Sequence, residues 1–124
     1  MIVKPRIRGF ICTTAHPTGC AAHVQEQIDY VASQAAGNDK PFKNVLVLGC
    51  SGGYGLASRV VAGFGYGANT LGISYEKAPT ENKTASAGWY NNLAYERAAT
   101  RPAYTLVPSM AMHFLMKCAN KPPM

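Results

Sequence analysis

An α/β fold built on a parallel sheet is the architecture that this sequence of 124 residues predicts. Residues 45–48, Val-Leu-Val-Leu, form a continuous apolar run, which is typical of a parallel strand buried on both faces. Three glycines, a segment with helical spacing and a second apolar run at 70–75 follow in that order. Strand, helix and strand in succession predict a Rossmann-like, doubly wound parallel sheet.

The elements before this unit are an extended segment and a helix. Residues 2–14 show partial alternation and β-branched residues, which predict a strand or an extended arm that the His-Pro-Thr-Gly segment 16–19 ends. A helix is predicted from Cys20 to Ala36, with Gly37 as its stop. Its inner face is marked by four apolar residues, Val24, Ile28, Val31 and Ala35.

The glycines after the first strand are spaced G-x-x-x-G-x-G, at Gly49, Gly53 and Gly55. Without β-carbons the backbone can turn tightly and approach a pyrophosphate, and a helix from Gly53 would direct its free N–H groups at the phosphates. A plain tight turn is the alternative interpretation. The apolar positions of the following helix are Leu56, Val60 and Phe64, and the glycines expected to end it are Gly63, Gly65 and Gly67.

Glu76 stands at the end of the second predicted strand, 21 residues after Gly55. A dinucleotide-binding fold places there the acid that hydrogen-bonds the adenosine ribose. Because a carboxylate accepts from the 2′-hydroxyl and repels a 2′-phosphate, Glu76 predicts a preference for NADH over NADPH. Taken alone, Glu76 could simply be a solvated residue at a strand end beside Lys77. The inference depends on finding Glu76 together with the glycine turn.

A polar loop, residues 77–83, precedes a second connecting helix predicted from Thr84 to Ala99. Trp89 and Leu93 are four residues apart and share a face of that helix. Trp89 and Tyr90 could stack on a cofactor, but core packing is the favoured interpretation of an aromatic pair on a helix.

Composition narrows the functional class. The chain is long enough for one modest domain and too short for a two-site oxidoreductase. Half of the net charge of +6 comes from residues 101–124, and no basic cluster is interleaved with aromatic residues, so no nucleic-acid partner is predicted. No membrane span or signal peptide is evident, which predicts a cytoplasmic protein without a membrane partner. The cysteines at 12, 20, 50 and 118 lack C-x-x-C spacing, so we predict neither a metal site nor a disulfide framework.

The N-terminal segment 4–20, Lys-Pro-Arg-Ile-Arg-Gly-Phe-Ile-Cys-Thr-Thr-Ala-His-Pro-Thr-Gly-Cys, resembles the signature of the V-type enoyl-acyl-carrier-protein reductases, also called trans-2-enoyl-CoA reductases. The agreement continues through 49–55, 75–77 and 87–91. The resemblance implies a fold like that of short-chain dehydrogenases. It also implies NADH-dependent reduction of the C2–C3 double bond of an enoyl thioester, on acyl-carrier protein or coenzyme A, in fatty acid biosynthesis by an enzyme that is monomeric when full length.

The resemblance also assigns cofactor-binding residues. The loop that would hold the pyrophosphate consists of Gly49, Cys50, Ser51, Gly52, Gly53 and Tyr54. Tyr75 and Glu76 would contact the adenosine. The family commonly has Ala-Ser-Ser at 50–52, so Gly52 lacks a hydroxyl whose phosphate hydrogen bond is worth on the order of 1 kcal/mol. The family's catalytic Tyr-x8-Lys pair has no match in this sequence, so no catalytic residue is assigned. We therefore expect a fragment that is inactive alone; the alternative is a non-catalytic dinucleotide-binding module.

Residues 101–124 differ abruptly in composition from the rest, with four of the eight prolines, four of the five methionines, no glycine and no acid. Methionine has a single codon, so its third base is known. When the reading frame begins at the third base of each codon, the shifted codons that start within Met110, Met112 and Met116 must encode glycine, alanine and glutamate. Residues 109–116 can then be reread as Asn-Gly-Asp-Ala-Phe-Ser-Asp-Glu, which resembles the family's next segment. We predict an NADH-binding segment at 1–100 and an out-of-frame tail without native structure at 101–124. A genuine C-terminal variant is the alternative.

Overall fold

The computed structural model describes residues 2–34, 41–99 and 114–117. In chain order its elements are β1 (Ile7–Arg8), β2 (Ile11–Cys12), α1 (Pro17–Gln34), β3 (Asn44–Leu48), α2 (Gly53–Val60), β4 (Asn69–Ser74), α3 (Ala87–Ala99) and β5 (Phe114–Lys117). One turn of π-helix, Val61–Gly65, continues α2. The predicted end of the first helix at Ala36 and Gly37, and Ala35 of its predicted inner face, lie outside the described residues.

A parallel pair of strands forms the centre of the fold. Strands β3 and β4 pair in parallel, with Asn44 opposite Asn69 and Leu48 opposite Ile73. Helix α2 lies between them in the chain, so the predicted strand-helix-strand unit is confirmed. Strand β5 pairs with β4 in the antiparallel direction and completes a three-stranded sheet of order β3-β4-β5.

The hydrophobic core lies where the helices meet. Its buried members are Val24 and Ile28 of α1, Leu56 and Val60 of α2, and Tyr95 of α3. Val31 and Phe64, both predicted to face inward, are partly buried against this cluster. The helical periodicity therefore identified the packing faces of α1 and α2 correctly. Burial of each large apolar side chain contributes about 1.5–3 kcal/mol as an upper estimate.

The prediction that β3 is buried on both faces is wrong for this chain. Leu46 is 57% exposed and Leu48 is 71% exposed, whereas Val47 is buried. Helices α2 and α3 cover the face of the sheet that carries Val47. Arg59 of α2 donates a hydrogen bond to Thr70 of β4, and Asn92 of α3 donates one to Ser74. The opposite face is left largely open, since successive residues of a strand point to opposite faces.

Helix boundaries differ from the prediction at three points. Helix α1 begins at Pro17 and not at Cys20. Proline is favoured at the first position of a helix, since the N–H groups of the first turn have no partner within the helix and proline has none to leave unpaired. Helix α3 begins at Ala87 and not at Thr84. Gly65 is the last residue of the π-helical turn, as predicted, whereas Gly63 lies inside that turn and Gly67, with a φ of +66°, follows it.

The N-terminal segment, predicted as one strand or arm, is a short hairpin. Strands β1 and β2 pair in the antiparallel direction, and Gly9 in the connecting turn has a φ of +64°. A left-handed residue at this position is readily supplied by glycine, which explains why the extended segment reverses there.

The Cys12 thiol on β2 is expected to be the most reactive of the three cysteines that the structure describes. Hydrogen bonds with Thr14 lower its pKa, whereas burial raises the pKa of the Cys20 and Cys50 thiols. Because the thiolate is the nucleophile, iodoacetamide near neutral pH should alkylate Cys12 before Cys20 and Cys50. Peptide mass mapping over time checks the order. A Thr14→Val variant should slow labelling of Cys12 alone; faster labelling of Cys50 would contradict the expectation.

Candidate functional site

The glycine turn between β3 and α2 has the backbone conformation that only glycine adopts readily. Gly49 has a φ of +78° and Gly53 a φ of +52°. The Gly49 N–H donates to the Ile73 carbonyl oxygen at 2.8 Å, which fixes the turn beside the end of β4. The two parallel strands therefore deliver the turn and the residues after Ser74 to the same edge of the sheet, where open α/β sheets bind ligands.

Helix α2 begins directly against this turn. A Cβ added to Gly55 would meet the Gly49 carbonyl oxygen, at 2.7 Å from the Gly49 carbonyl carbon and 3.3 Å from the Cα of Cys50. The N-cap, Gly52, has an extended backbone and supplies no side-chain hydrogen bond to the first turn. The positive end of α2 thus faces the glycine turn without a side-chain cap, an arrangement suited to an anion.

Glu76 lies beside the same turn, against the start of α3. A Cβ on Gly88 would meet the Glu76 carboxylate and come within 2.8 Å of the Cβ of Ser51. The Glu76 carboxylate and the Ser51 side chain therefore both border the space that the missing side chain of Gly88 leaves open. This places the acid predicted for the ribose next to the residues predicted for the pyrophosphate.

Two residues that sequence analysis did not assign hold this arrangement. Ser86 donates a hydrogen bond to the Glu76 carboxylate, and its Oγ accepts from the Trp89 N–H at 3.3 Å. Ser86 is thereby an N-cap of α3 and a partner of Glu76. Asn91 donates from Nδ2 to the Ser51 carbonyl oxygen at 2.9 Å. A serine before a helix is a recognisable cap signal, whereas Asn91 is marked only as part of the segment 87–91 that resembles the family.

The remaining predicted residues occupy different positions. Tyr54 is 94% exposed and Tyr75 is 54% exposed, so both rings are accessible near the turn. Cys50 is buried, and its thiol faces the Asn92 side chain at 3.6 Å. The Cys50 side chain is therefore directed into the protein, and the Cys50 N–H donates to the Ile73 carbonyl oxygen at 3.4 Å.

A buried ion pair lies beneath the turn. The Arg59 Nη2 donates to the Glu96 Oε1 at 2.5 Å, with the two side chains 0% and 2% exposed. The Arg59 guanidinium also lies 4.1 Å from the centre of the Tyr95 ring and donates from Nε to the Thr70 hydroxyl at 3.4 Å. Since α2, α3 and β4 each supply a partner, the pair ties together the elements that carry the site.

The described residues contain neither a membrane-spanning helix nor a metal-binding cluster. None of the helices in the described ranges is long and apolar enough to cross a membrane. In the same ranges no group of three or more His, Cys, Asp or Glu side chains is arranged to hold a metal ion.

A parallel strand-helix-strand unit, with a glycine turn against a helix start and an acid after the second strand, defines the dinucleotide-binding class of α/β proteins. The chain belongs to the family whose model is described as the NAD(P)H-binding domain of trans-2-enoyl-CoA reductase, which matches residues 2–81. The resemblance noted from the N-terminal signature is confirmed by this match.

Individual relatives and solved structures support the same family assignment. Over 99 residues the chain is 65% identical to the enoyl-[acyl-carrier-protein] reductase [NADH] of Pseudoalteromonas atlantica, covering 80% of this chain and 25% of the relative. The trans-2-enoyl-CoA reductase of Treponema denticola, solved in complex with NAD, superposes with a TM-score of 0.72 at 55% identity, covering 79% of this chain and 26% of that one. The chain spans about a quarter of the length of these relatives.

Proposed function

We propose that this chain supplies the NADH-binding part of an NADH-dependent enoyl reductase, which reduces the C2–C3 double bond of enoyl thioesters in fatty acid biosynthesis. The observation that carries the proposal is that Glu76 and Ser51 both lie against the open space beside Gly88. Relatives named as NADH-dependent enoyl-acyl-carrier-protein reductases support the reaction class.

The residues present fit a dinucleotide. Glycines at positions 49 and 53 leave the backbone free of side chains where a pyrophosphate approaches, and the start of α2 offers N–H groups to its charge. The Glu76 carboxylate, oriented by Ser86, is available to accept from the ribose 2′-hydroxyl. When bound, NADH supplies a hydride; the part of this chain is to bind and orient its adenosine and pyrophosphate.

The selectivity follows from the charge of Glu76. A 2′-phosphate would bring two further negative charges against the carboxylate in a site partly shielded from water. A 2′-hydroxyl would instead donate a charge-assisted hydrogen bond to it. We therefore assign NADH, rather than NADPH, as the cofactor.

A non-catalytic dinucleotide-binding module is the second candidate. It is favoured by one observation, that no tyrosine in the sequence has a lysine nine positions later, as the family's Tyr-x8-Lys pair requires. NADH binding is common to both candidates, and single-turnover reduction of an enoyl thioester by the chain would exclude the second.

A titration of the chain with NADH, followed by NADH fluorescence, tests the proposal. We expect saturable binding, weakened about tenfold or more by Glu76→Ala because a hydrogen bond to a charged group is lost. The same variant should bind NADPH no more weakly than the unsubstituted chain does. Ser86→Ala should change the NADH to NADPH ratio in the same direction by a smaller factor. Equal affinities of the unsubstituted chain for NADH and NADPH would contradict the role of Glu76.

Four further assignments belong to this proposal as predictions. The substrate is an enoyl thioester of acyl-carrier protein or coenzyme A, the full-length enzyme is monomeric, and the protein is cytoplasmic. The fourth is that residues 101–124 are out of frame. Of that tail the structure describes 114–117, which form β5, while 101–113 and 118–124, with Cys118, lie outside the described residues. Nucleotide sequencing across codons 95–124 decides the reading frame.

A further inference from the structure

A cavity of about 890 Å³ lies between the N-terminal hairpin and the loop before α3. Its size is within the range of about 300–1,000 Å³ that small-molecule sites occupy. The residues of the glycine turn and Glu76 do not line it. The cavity is therefore separate from the site proposed for NADH.

Four cationic residues line this cavity: Lys4, Arg6, Arg8 and Lys83. The first three belong to residues 2–8, all of which contribute to the lining. None of the described residues that line the cavity is acidic. Glu81 is in the same turn as Lys83 but is not part of the lining. Four cations around one concavity repel one another and favour an anion of multiple charge.

The wall that carries Arg6 is fixed by hydrogen bonds within the hairpin. The Arg6 carbonyl oxygen accepts from the Thr13 N–H at 2.8 Å and from the Thr13 hydroxyl at 2.9 Å. The Arg6 N–H donates to the Thr14 hydroxyl at 3.1 Å. Both threonines line the cavity as well. The central arginine is thus presented from a braced backbone, which lowers the entropy lost on binding.

The opposite wall is fixed in a similar way. The Thr80 N–H donates to the Lys83 carbonyl oxygen at 2.9 Å, and the Lys83 N–H donates to the Thr80 carbonyl oxygen at 3.2 Å. This reciprocal pair closes a tight turn and fixes the Lys83 backbone within the loop. Lys83 therefore adds a cationic residue to the lining from a second segment of the chain.

We infer that this cavity binds an organic phosphate with at least two phosphate groups, of the kind found at the nucleotide end of a coenzyme A thioester. The planar fork of an arginine matches phosphate oxygens bidentately, and lysines add point charges around it. That the phosphate belongs to the thioester substrate rests on the proposed function. The anion site itself rests on the four cations and on the two braced walls.

Calorimetric titration of the chain with adenosine 3′,5′-bisphosphate at low salt tests the inference. We expect Arg6→Glu/Lys83→Glu to weaken binding about tenfold or more, because two charge-assisted hydrogen bonds are replaced by repulsion. The matched control is Lys43→Glu/Arg97→Glu, which changes the net charge equally at two exposed residues outside the cavity. The control should retain affinity within about twofold, apart from a general salt-screened effect.

The outcomes separate this inference from the proposed function. If both double variants weaken binding equally, or if the bisphosphate does not bind, the inference that the cavity binds an organic phosphate is overturned. Inorganic pyrophosphate binding as tightly as the bisphosphate would support the anion site and overturn its assignment to a nucleotide. NADH binding should survive Arg6→Glu/Lys83→Glu and bisphosphate binding should survive Glu76→Ala. Loss of NADH binding in the unsubstituted chain, with bisphosphate binding intact, would overturn the proposed function and leave the anion site standing.

Discussion

Glu96→Gln is expected to lower the free energy of unfolding by about 3–5 kcal/mol, because it leaves the charge of Arg59 buried without its counter-ion. Both side chains are excluded from water, at 0% and 2% exposure, so solvent cannot compensate. A domain of this size has a total stability of about 5–15 kcal/mol, so the loss would be a large share of its resistance to denaturant. Urea unfolding followed by circular dichroism measures the change.

The control replaces both partners of the pair. Arg59→Met/Glu96→Leu removes both charges and keeps apolar volume in the core, and such exchanges are often neutral or stabilising. The double variant should therefore be more stable than Glu96→Gln, although the Thr70 hydroxyl loses its bond from Arg59. A single variant as stable as the unsubstituted chain would show that the pair contributes nothing to the fold.

Gly55→Ala is expected to abolish measurable NADH binding, with a loss of about a hundredfold or more, since displacements near 1 Å have effects of that order. The new methyl group would meet the carbonyl oxygen of Gly49 and the backbone of Cys50, and backbone atoms cannot rotate away as a side chain can. The start of α2 must then move off the turn. Alanine gains about 1 kcal/mol of helix propensity over glycine, less than the one to three expected from such overpacking.

Gly52→Ala is the matched control for the glycine turn. Position 52 has a φ of −169°, which any residue adopts, and a Cβ there would meet no atom within 4 Å. This variant should fold and bind NADH as the unsubstituted chain does. Gly52→Ser should bind NADH more tightly, since it restores the hydroxyl expected to donate to a phosphate. Similar affinities for the Ala variants at 52 and 55 would contradict the close approach as the reason for Gly55.

The variants Glu96→Gln and Gly55→Ala are expected to affect the fold and the cofactor site to different extents. Loss of the ion pair should reduce stability and cofactor binding together, because Arg59 and Glu96 join the helices that carry the site. Gly55→Ala should remove cofactor binding while most of the core remains folded, because Leu56 and Val60 can keep their contacts with α1. Comparing unfolding with NADH titration in both variants therefore distinguishes loss of the fold from loss of the site.

Much of the site could be predicted from local sequence. The run Val45 to Leu48, the glycines after it and the position of Glu76 each follow from rules that act within a few residues. Ser86 could have been recognised as a helix cap, but its bond to Glu76 joins residues on two elements. Asn91 reaches the Ser51 carbonyl across 40 positions of the chain, a distance over which periodicity carries no information.

The sequence by itself determined the parallel strand-helix-strand unit, the packing faces of α1 and α2, and the family, because each depends on local periodicity or on an uninterrupted motif. Only the tertiary structure decided that Glu76 and Ser51 both lie against Gly88, and that Arg59 pairs with Glu96. It also decided that one face of β3 stays open. These features depend on how separate elements pack, and the alternation of residues in a strand indicates its two faces without showing which of them another element covers.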